Sequence, residues 1–233
     1  MLNPTKAPGE PPRIAIVHTS FLAVESFGEL FRDLAPEVCV RHVVDDSLLP
    51  EVIAEGAVTP AVHSRLLDLF QGAATSGADL IFSQCSSVGE VADAASLLVE
   101  IPIVKVDEAM AERACEAGPR IGVAATLGST LLPTRRLVES TAARMSKRVL
   151  LRCELIEGAF ALLESGDRAA HNALVAQALM ELASEVDVVV CAQGSMAAVL
   201  PELGDLGVPV LTSPRLGVEH ALRVLRTRAQ AGH

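Results

Sequence analysis

Pro12-Arg13-Ile14-Ala15-Ile16-Val17-His18-Thr19 and Pro119-Arg120-Ile121-Gly122-Val123-Ala124-Ala125-Thr126 are two versions of one segment, set 107 residues apart. Each opens on Pro-Arg, runs through unbroken apolar residues and closes on threonine. A short apolar run with no polar alternation describes a strand buried on both faces, as in a parallel sheet covered by helices. The same offset of 107 relates Ile101-Pro102-Ile103-Val104 to Val208-Pro209-Val210-Leu211. Between these landmarks Cys85 follows Leu80-Ile81-Phe82, and Cys191 follows Val188-Val189-Val190, 106 residues on. A strand, a cysteine and a proline-containing strand that keep one offset point to a duplicated unit.

Working outward, strands are expected at 14–17, 80–82, 101–106, 121–124, 149–151, 186–190 and 208–211. The stretches between them carry helical periodicity. In 21–34 the apolar residues Phe21, Val24, Phe27, Phe31 and Leu34 fall at three- and four-residue steps. Further helices are expected at 61–74, 129–145, 172–184 and 217–229. Alternating strands and helices give an α/β class. The expected organisation is a loose proline-rich tail at 1–12, then two pseudo-symmetric parallel-sheet lobes. The first takes 13–110 with a C-terminal helix at about 215–233, and the second takes 111–214.

The chain has 233 residues, a formal charge of −10, 50% hydrophobic residues and 3% aromatic ones, with neither Trp nor Tyr. This acidity excludes the basic footprint of a nucleic-acid binder. So few aromatic residues also leave little for stacking bases or sugars. No apolar run is long enough to span a membrane, and the first twelve residues carry no signal-peptide core, so a cytoplasmic location is expected. Five cysteines stand singly with no CxxC pair, which points to neither a disulfide framework nor a metal site. Small-molecule chemistry is the class left.

In open parallel sheets the ligand crevice lies beyond the carboxyl ends of the strands. Cys85 and Cys191 sit there, each followed by small residues able to open a helix: Ser86-Ser87-Val88-Gly89 and Ala192-Gln193-Gly194-Ser195. A helix start beside a sulfur favours thiolate and also holds a carboxylate. Two opposed thiols about one carboxylate could carry a proton from one face of a carbon to the other, one as base and one as acid. Cys39, Cys115 and Cys153 are expected to be small core residues. His220 and the Arg135-Arg136 pair are expected on solvated helix faces. Lys105 and Asp107 are expected either to read a polar substrate tail or to pair with each other.

Three segments, Asp79 through Ser87, Ile121 through Thr130, and Val188 through Cys191, resemble the hallmark segments of the Asp/Glu/hydantoin racemase superfamily. That superfamily includes cofactor-independent racemases, arylmalonate decarboxylase and maleate isomerase. The resemblance implies two pseudo-symmetric lobes with the active site between them, no cofactor, no metal, a small carboxylate substrate and a homodimer. By position it assigns Cys85 and Cys191 as the acid–base pair. Ser86 and Ser87 would hold the substrate carboxylate, and Thr126, Ser129 and Thr130 would close its pocket. Thr19 is the first-lobe copy of Thr126 and would likewise bind the substrate, and His18 stands before it at the mouth of the first strand, where it could touch the substrate or tune a thiol. After the second cysteine Ala192 stands where many family racemases have Thr, removing a hydroxyl donor that Gln193 could replace. The acidic residue usual after the first strand of glutamate racemases is absent, as His18-Thr19-Ser20 occupies that place. These features imply a racemase or isomerase of an α-substituted carboxylate, an amino acid or a hydantoin-like compound. A decarboxylase or cis–trans isomerase using one cysteine, or a non-catalytic carboxylate-binding protein, are the alternatives.

Overall fold

The computed structural model describes residues 10–231. The expected tail at 1–12 therefore lies mostly outside the described residues. The chain divides into two compact units, one comprising residues up to Val106 and those from Pro214 onward, the other Asp107–Ser213.

The first unit is built on strands β1 (Arg13–His18), β2 (Cys39–Val44), β3 (Leu80–Ser83) and β4 (Ile103–Lys105), all parallel in the order β2-β1-β3-β4. Side chains alternate across this sheet. Ala15, Val17 and Ile81 pack under α2 (Leu48–Glu55), α3 (Pro60–Thr75) and α4 (Gly89–Ala95). Ile14, Ile16, Leu80 and Phe82 pack under α1 (Val24–Leu34) and the C-terminal α9 (Ser213–Ala231). Helix α3 starts where Thr59 accepts a hydrogen bond from the Val62 amide and Pro60 takes the first turn, a position that needs no amide donor. On the other face Phe82 meets Phe27 and Phe31 with ring centroids 5.5 Å apart in both pairs. Such a buried aromatic cluster contributes roughly 1.5–3 kcal/mol per side chain.

The second unit repeats the plan. Strands β5 (Arg120–Ala125), β6 (Leu150–Leu155), β7 (Val188–Cys191) and β8 (Val210–Thr212) are parallel in the order β6-β5-β7-β8. One face packs on α7 (Ala159–Glu164), α8 (Arg168–Ala183) and a 3₁₀ segment at Gly194–Glu202. Helices α5 (Glu108–Ala117) and α6 (Gly128–Arg144) pack on each other, α6 against β5 and α5 against β7. The α/β class and the duplication are thus present in the fold.

The sequence signals located seven of the eight strands and missed β2. Cys39-Val40-Arg41-His42-Val43-Val44 carries a charged residue and a histidine at exposed positions, as an outer strand with one solvated stretch permits. The helix expected from Phe21 begins at Val24, and Phe21 is 65% exposed because the chain is still turning out of β1 there. Helices α2, α4, α5 and α7 were not among those expected.

Gly217 lies on α9 where it crosses the end of β4, and a Cβ there would sit on the Val106 carbonyl oxygen. Because the obstacle is backbone, relief requires the helix to move. Gly217→Ala is expected to cost about 1–3 kcal/mol, the usual range for overpacking. The check is a fall in the urea midpoint at unchanged m-value.

Candidate functional site

At the carboxyl edge of the first sheet, β1 ends at His18 and β3 at Ser83. The Gln84 amide still donates to the Val17 carbonyl (3.1 Å), after which the chain leaves the sheet through Cys85 in an extended conformation. Ser86–Val88 then form a single 3₁₀ turn before α4. The Cys85 side chain is half-buried, packed against the cluster beneath α3 and α4. Ser86 and Ser87 are buried, and the Ser87 Oγ has no hydrogen-bond partner. A buried hydroxyl left unpaired is costly and calls for an explanation, which a polar ligand group would supply. Thr19 is buried beside the same edge, its carbonyl accepting from the Leu49 amide (3.1 Å).

His18 is 0% exposed, and its Nε2 lies 2.9 Å from Nδ1 of His42 on β2. Removal from water is the main cause that lowers its pKa to about 4, with repulsion from His42 adding to it and the Gln84 side chain opposing. Because the folded pKa lies below the ordinary 6.5, the unfolded chain takes up the proton first. Stability is full above about pH 6.5 and drains as the pH falls toward 4, by at most about 3 kcal/mol. In His18→Gln the acid limb of the urea midpoint against pH is expected to flatten over this window.

The second sheet has the corresponding edge. Here the Ala192 amide donates to the Ala124 carbonyl (2.8 Å), as Gln84 does to Val17. Gln193 follows and clamps Thr126 twice. Its Nε2 donates to the Thr126 Oγ1 (2.7 Å), and its Oε1 accepts from the Thr126 amide (2.8 Å). Thr126 and Thr130 are buried. The Thr130 hydroxyl donates to the Leu127 carbonyl (2.8 Å), so it caps locally, while the Ser129 Oγ is buried without a partner.

Strand register corrects the pairing of the two cysteines. Ile14 stands opposite Leu80, and its copy Ile121 stands opposite Val188, so in this part of the chain the repeat runs at 108. Two aspartates confirm it. Asp79 accepts from the Arg13 amide (2.7 Å) and Asp187 from the Arg120 amide (2.8 Å), each tying the start of one central strand to its neighbour. At this register the counterpart of Cys85 is Gln193, and the counterpart of Cys191 is Ser83. Cys191 is therefore the last residue of β7, 0% exposed, with its side chain in the apolar cluster under α8. Burial pushes its thiol up to about 12, the opposite of the activation expected from a helix start. The segments after both edges are 3₁₀ turns, which do not line up amides as an α-helix does.

Lys105 pairs with Asp93 (2.6 Å), and Asp107 lies buried at the start of α5 in the second unit. Cys115 is buried as expected, Cys39 is half-buried, and Cys153 is exposed because β6 is an edge strand. His220 is half-buried and meets Arg223, while Arg135 and Arg136 lie exposed on α6 as expected, Arg135 paired with Glu139. His42 was missed altogether along with its strand; only a period-two reading of residues 39–44 could have found it. Among the described residues no group of three or more His, Cys, Asp or Glu could hold a metal ion, and no helix is long and apolar enough to cross a membrane.

Solved structures share this fold. An allantoin racemase from Klebsiella pneumoniae superposes with a TM-score of 0.68 at 21% identity, covering 93% of this chain and 88% of that one. A glutamate racemase from Francisella tularensis subsp. tularensis SCHU S4, in complex with D-glutamate, gives 0.73 at 9% identity over 94% and 83%. An unliganded arylmalonate decarboxylase gives 0.56 at 17% over 92% and 93%. No curated protein matches the sequence. The model of the family described as Asp/Glu/Hydantoin racemase matches residues 15–221, nearly the whole described chain. The chain therefore belongs to the Asp/Glu/hydantoin racemase family and is a racemase-like enzyme.

Proposed function

We propose that this chain is a cofactor-independent enzyme that delivers a proton to the α-carbon of a small α-substituted carboxylate, with Cys85 as its acid–base thiol. Ser86, Ser87 and Thr19 are the groups assigned to the substrate beside it, and Thr126, Ser129, Thr130 and Gln193 are the corresponding groups of the second unit. The orphaned Ser87 and Ser129 hydroxyls support this reading, because a carboxylate oxygen accepts a hydrogen bond from a hydroxyl. The α-proton of a carboxylate is far less acidic than a thiol, so the enediolate-like charge must be met by such donors. Each donor of this kind contributes about 3–4 kcal/mol by analogy with oxyanion holes. A cytoplasmic homodimer is part of the same proposal.

The observation that carries the chemistry is Gln193 at the position matching Cys85. Racemisation needs an acid–base group on each face of the carbon, and a carboxamide neither gives nor takes a proton near neutral pH. This favours a one-sided reaction on an α-substituted malonate: the carbon–carbon bond to one of its two carboxyl groups breaks, carbon dioxide leaves and the other carboxylate stays. The electron pair left behind is held as an enediolate, the Cys85 thiol delivers its proton to carbon, and the resulting thiolate recovers a proton from solvent. Incubation with amino acids, hydantoins and substituted malonates in heavy water tests both levels. Deuterium at the α-carbon of any turned-over compound supports proton transfer, and a single handedness of the product supports one thiol. Turnover without α-deuterium overturns the reading.

A further inference from the structure

Strand β6 is the outer strand of its sheet, paired with β5 on one side and with no strand on the other among the described residues. Leu150 and Ile156 donate their amides to the carbonyls of Pro119 and Ala125 at the two ends of β5 (2.7 and 2.8 Å). Because successive backbone groups of a strand face opposite edges, those of Leu151, Cys153 and Leu155 face the open side. An open edge is a template for another strand, and proteins usually blunt it with proline, lysine or a bulge. Leu150-Leu151-Arg152-Cys153-Glu154-Leu155 contains neither residue, and its register with β5 is unbroken. Leu150 is 73% exposed, and Cys153 and Leu155 are exposed with it. Outward from Cys153 the segment mirrors itself: Arg152 is matched by Glu154, Leu151 by Leu155 and Leu150 by Ile156. A second copy laid antiparallel about a two-fold axis at Cys153 sets Leu151 opposite the partner's Leu155, where their open amides and carbonyls meet. It also sets Arg152 opposite the partner's Glu154, twice over by symmetry. Opposite charges directly across an antiparallel pair stabilise it, and like charges there oppose it. An axis at Arg152 would set that residue against its own copy, and an axis at Glu154 would do the same for the carboxylate. An axis between two residues would bring open backbone groups against ones that β5 already engages. Arg152 pairs with Glu185 of its own chain, and a guanidinium has donors enough for two carboxylates. The outer strand of the first unit lacks this pattern, since Cys39 to Val44 contains Arg41 and no acidic residue.

We propose that β6 is an interface for a second copy of this chain: the two strands pair antiparallel about a two-fold axis at Cys153 and join two four-stranded sheets into one. This gives a surface to the homodimer proposed above and rests on that reading for there being a second copy, whereas the chemistry of Cys85 is independent of it. At this register the two Cys153 Cα atoms lie about 5.5 Å apart, the spacing of a hydrogen-bonded antiparallel pair. Both thiols then emerge on one face of the joined sheet, so a short linker can bridge them.

Sedimentation velocity of the full chain over a series of concentrations tests the interface. Wild type is expected at twice the mass of one chain. Glu154→Arg sets arginine against arginine across the axis and is expected to raise the dimer dissociation constant at least about tenfold. Arg152→Glu is expected to do the same by setting glutamate against glutamate. Mixing the two variants restores opposite charges at both places in the mixed dimer, and the dissociation constant is expected to return close to that of wild type. If a variant does not fold, cross-linking of wild type with a short bis-maleimide decides, because digestion should then yield two Cys153 peptides joined to each other. A monomeric wild type overturns the interface and the homodimer together. A wild-type dimer that either variant leaves intact, a mixture no tighter than its components, or cross-links that leave out Cys153 overturns the interface alone and leaves the homodimer standing.

Discussion

Cys85→Ser is expected to lower turnover by about 10²- to 10⁴-fold, the usual worth of a positioned acid or base. The substitution changes one atom and keeps the hydrogen-bonding capacity, so the fold should survive. What it removes is acidity, since a serine hydroxyl is far too weak an acid to alternate with its anion near neutral pH. The informative contrast is Cys191→Ala. That thiol ends β7 with its side chain in the apolar cluster under α8, and burial holds it protonated. Turnover in Cys191→Ala is expected to stay within about twofold of the parent, since no proton passes through a group so far from its ordinary range. Steady-state rates of the two variants check the assignment, and equal losses in both would overturn it.

Gln193→Cys is expected to add the chemistry that the parent lacks. It puts a thiol at the position matching Cys85 and releases Thr126 from its double hydrogen bond. A second thiol supplies the second acid–base group that racemisation requires, and racemisation should rise at least about tenfold above the parent, a modest share of what general acid–base catalysis can contribute. Chiral chromatography of product after prolonged incubation measures it: a single enantiomer from the parent, drift toward the racemate from the variant. Gln193→Ala separates the two effects, because it frees Thr126 without adding a thiol. Racemisation by the alanine variant equal to that of the cysteine variant would rule out the second-thiol account.

Much of the fold was legible because buried parallel strands write themselves as unbroken β-branched runs. Ile14 to Val17 and Val188 to Val190 could hardly be anything else between helical stretches. The edge strand β2 was not legible, since Arg41 and His42 break the run where the sheet meets solvent. With β2 went His42, and with His42 the environment that makes His18 neutral. The candidate site was legible in its address but not in its membership. Cys85, Ser87 and Ser129 have side chains suited to the proposed chemistry, but Cys191 drew attention by being a cysteine near the right offset. The better landmarks were Asp79 and Asp187, whose carboxylates clamp the backbone at the start of β1 and β5. They show that the repeat lengthens by one residue before β7.

The amino-acid order alone determined the α/β class, the duplication and the ends of the strands on which chemistry would lie. These follow from local apolar periodicity and from self-similarity, which need no knowledge of distant contacts. Only the tertiary structure decided which residues occupy matching places in the two units, because register is set by hydrogen bonds between strands far apart in sequence. A slip of one residue turns a side chain to the opposite face of its sheet, and a slip of two moves it off the strand end. That is the difference between Cys191 as a reactive thiol and Cys191 as part of the core.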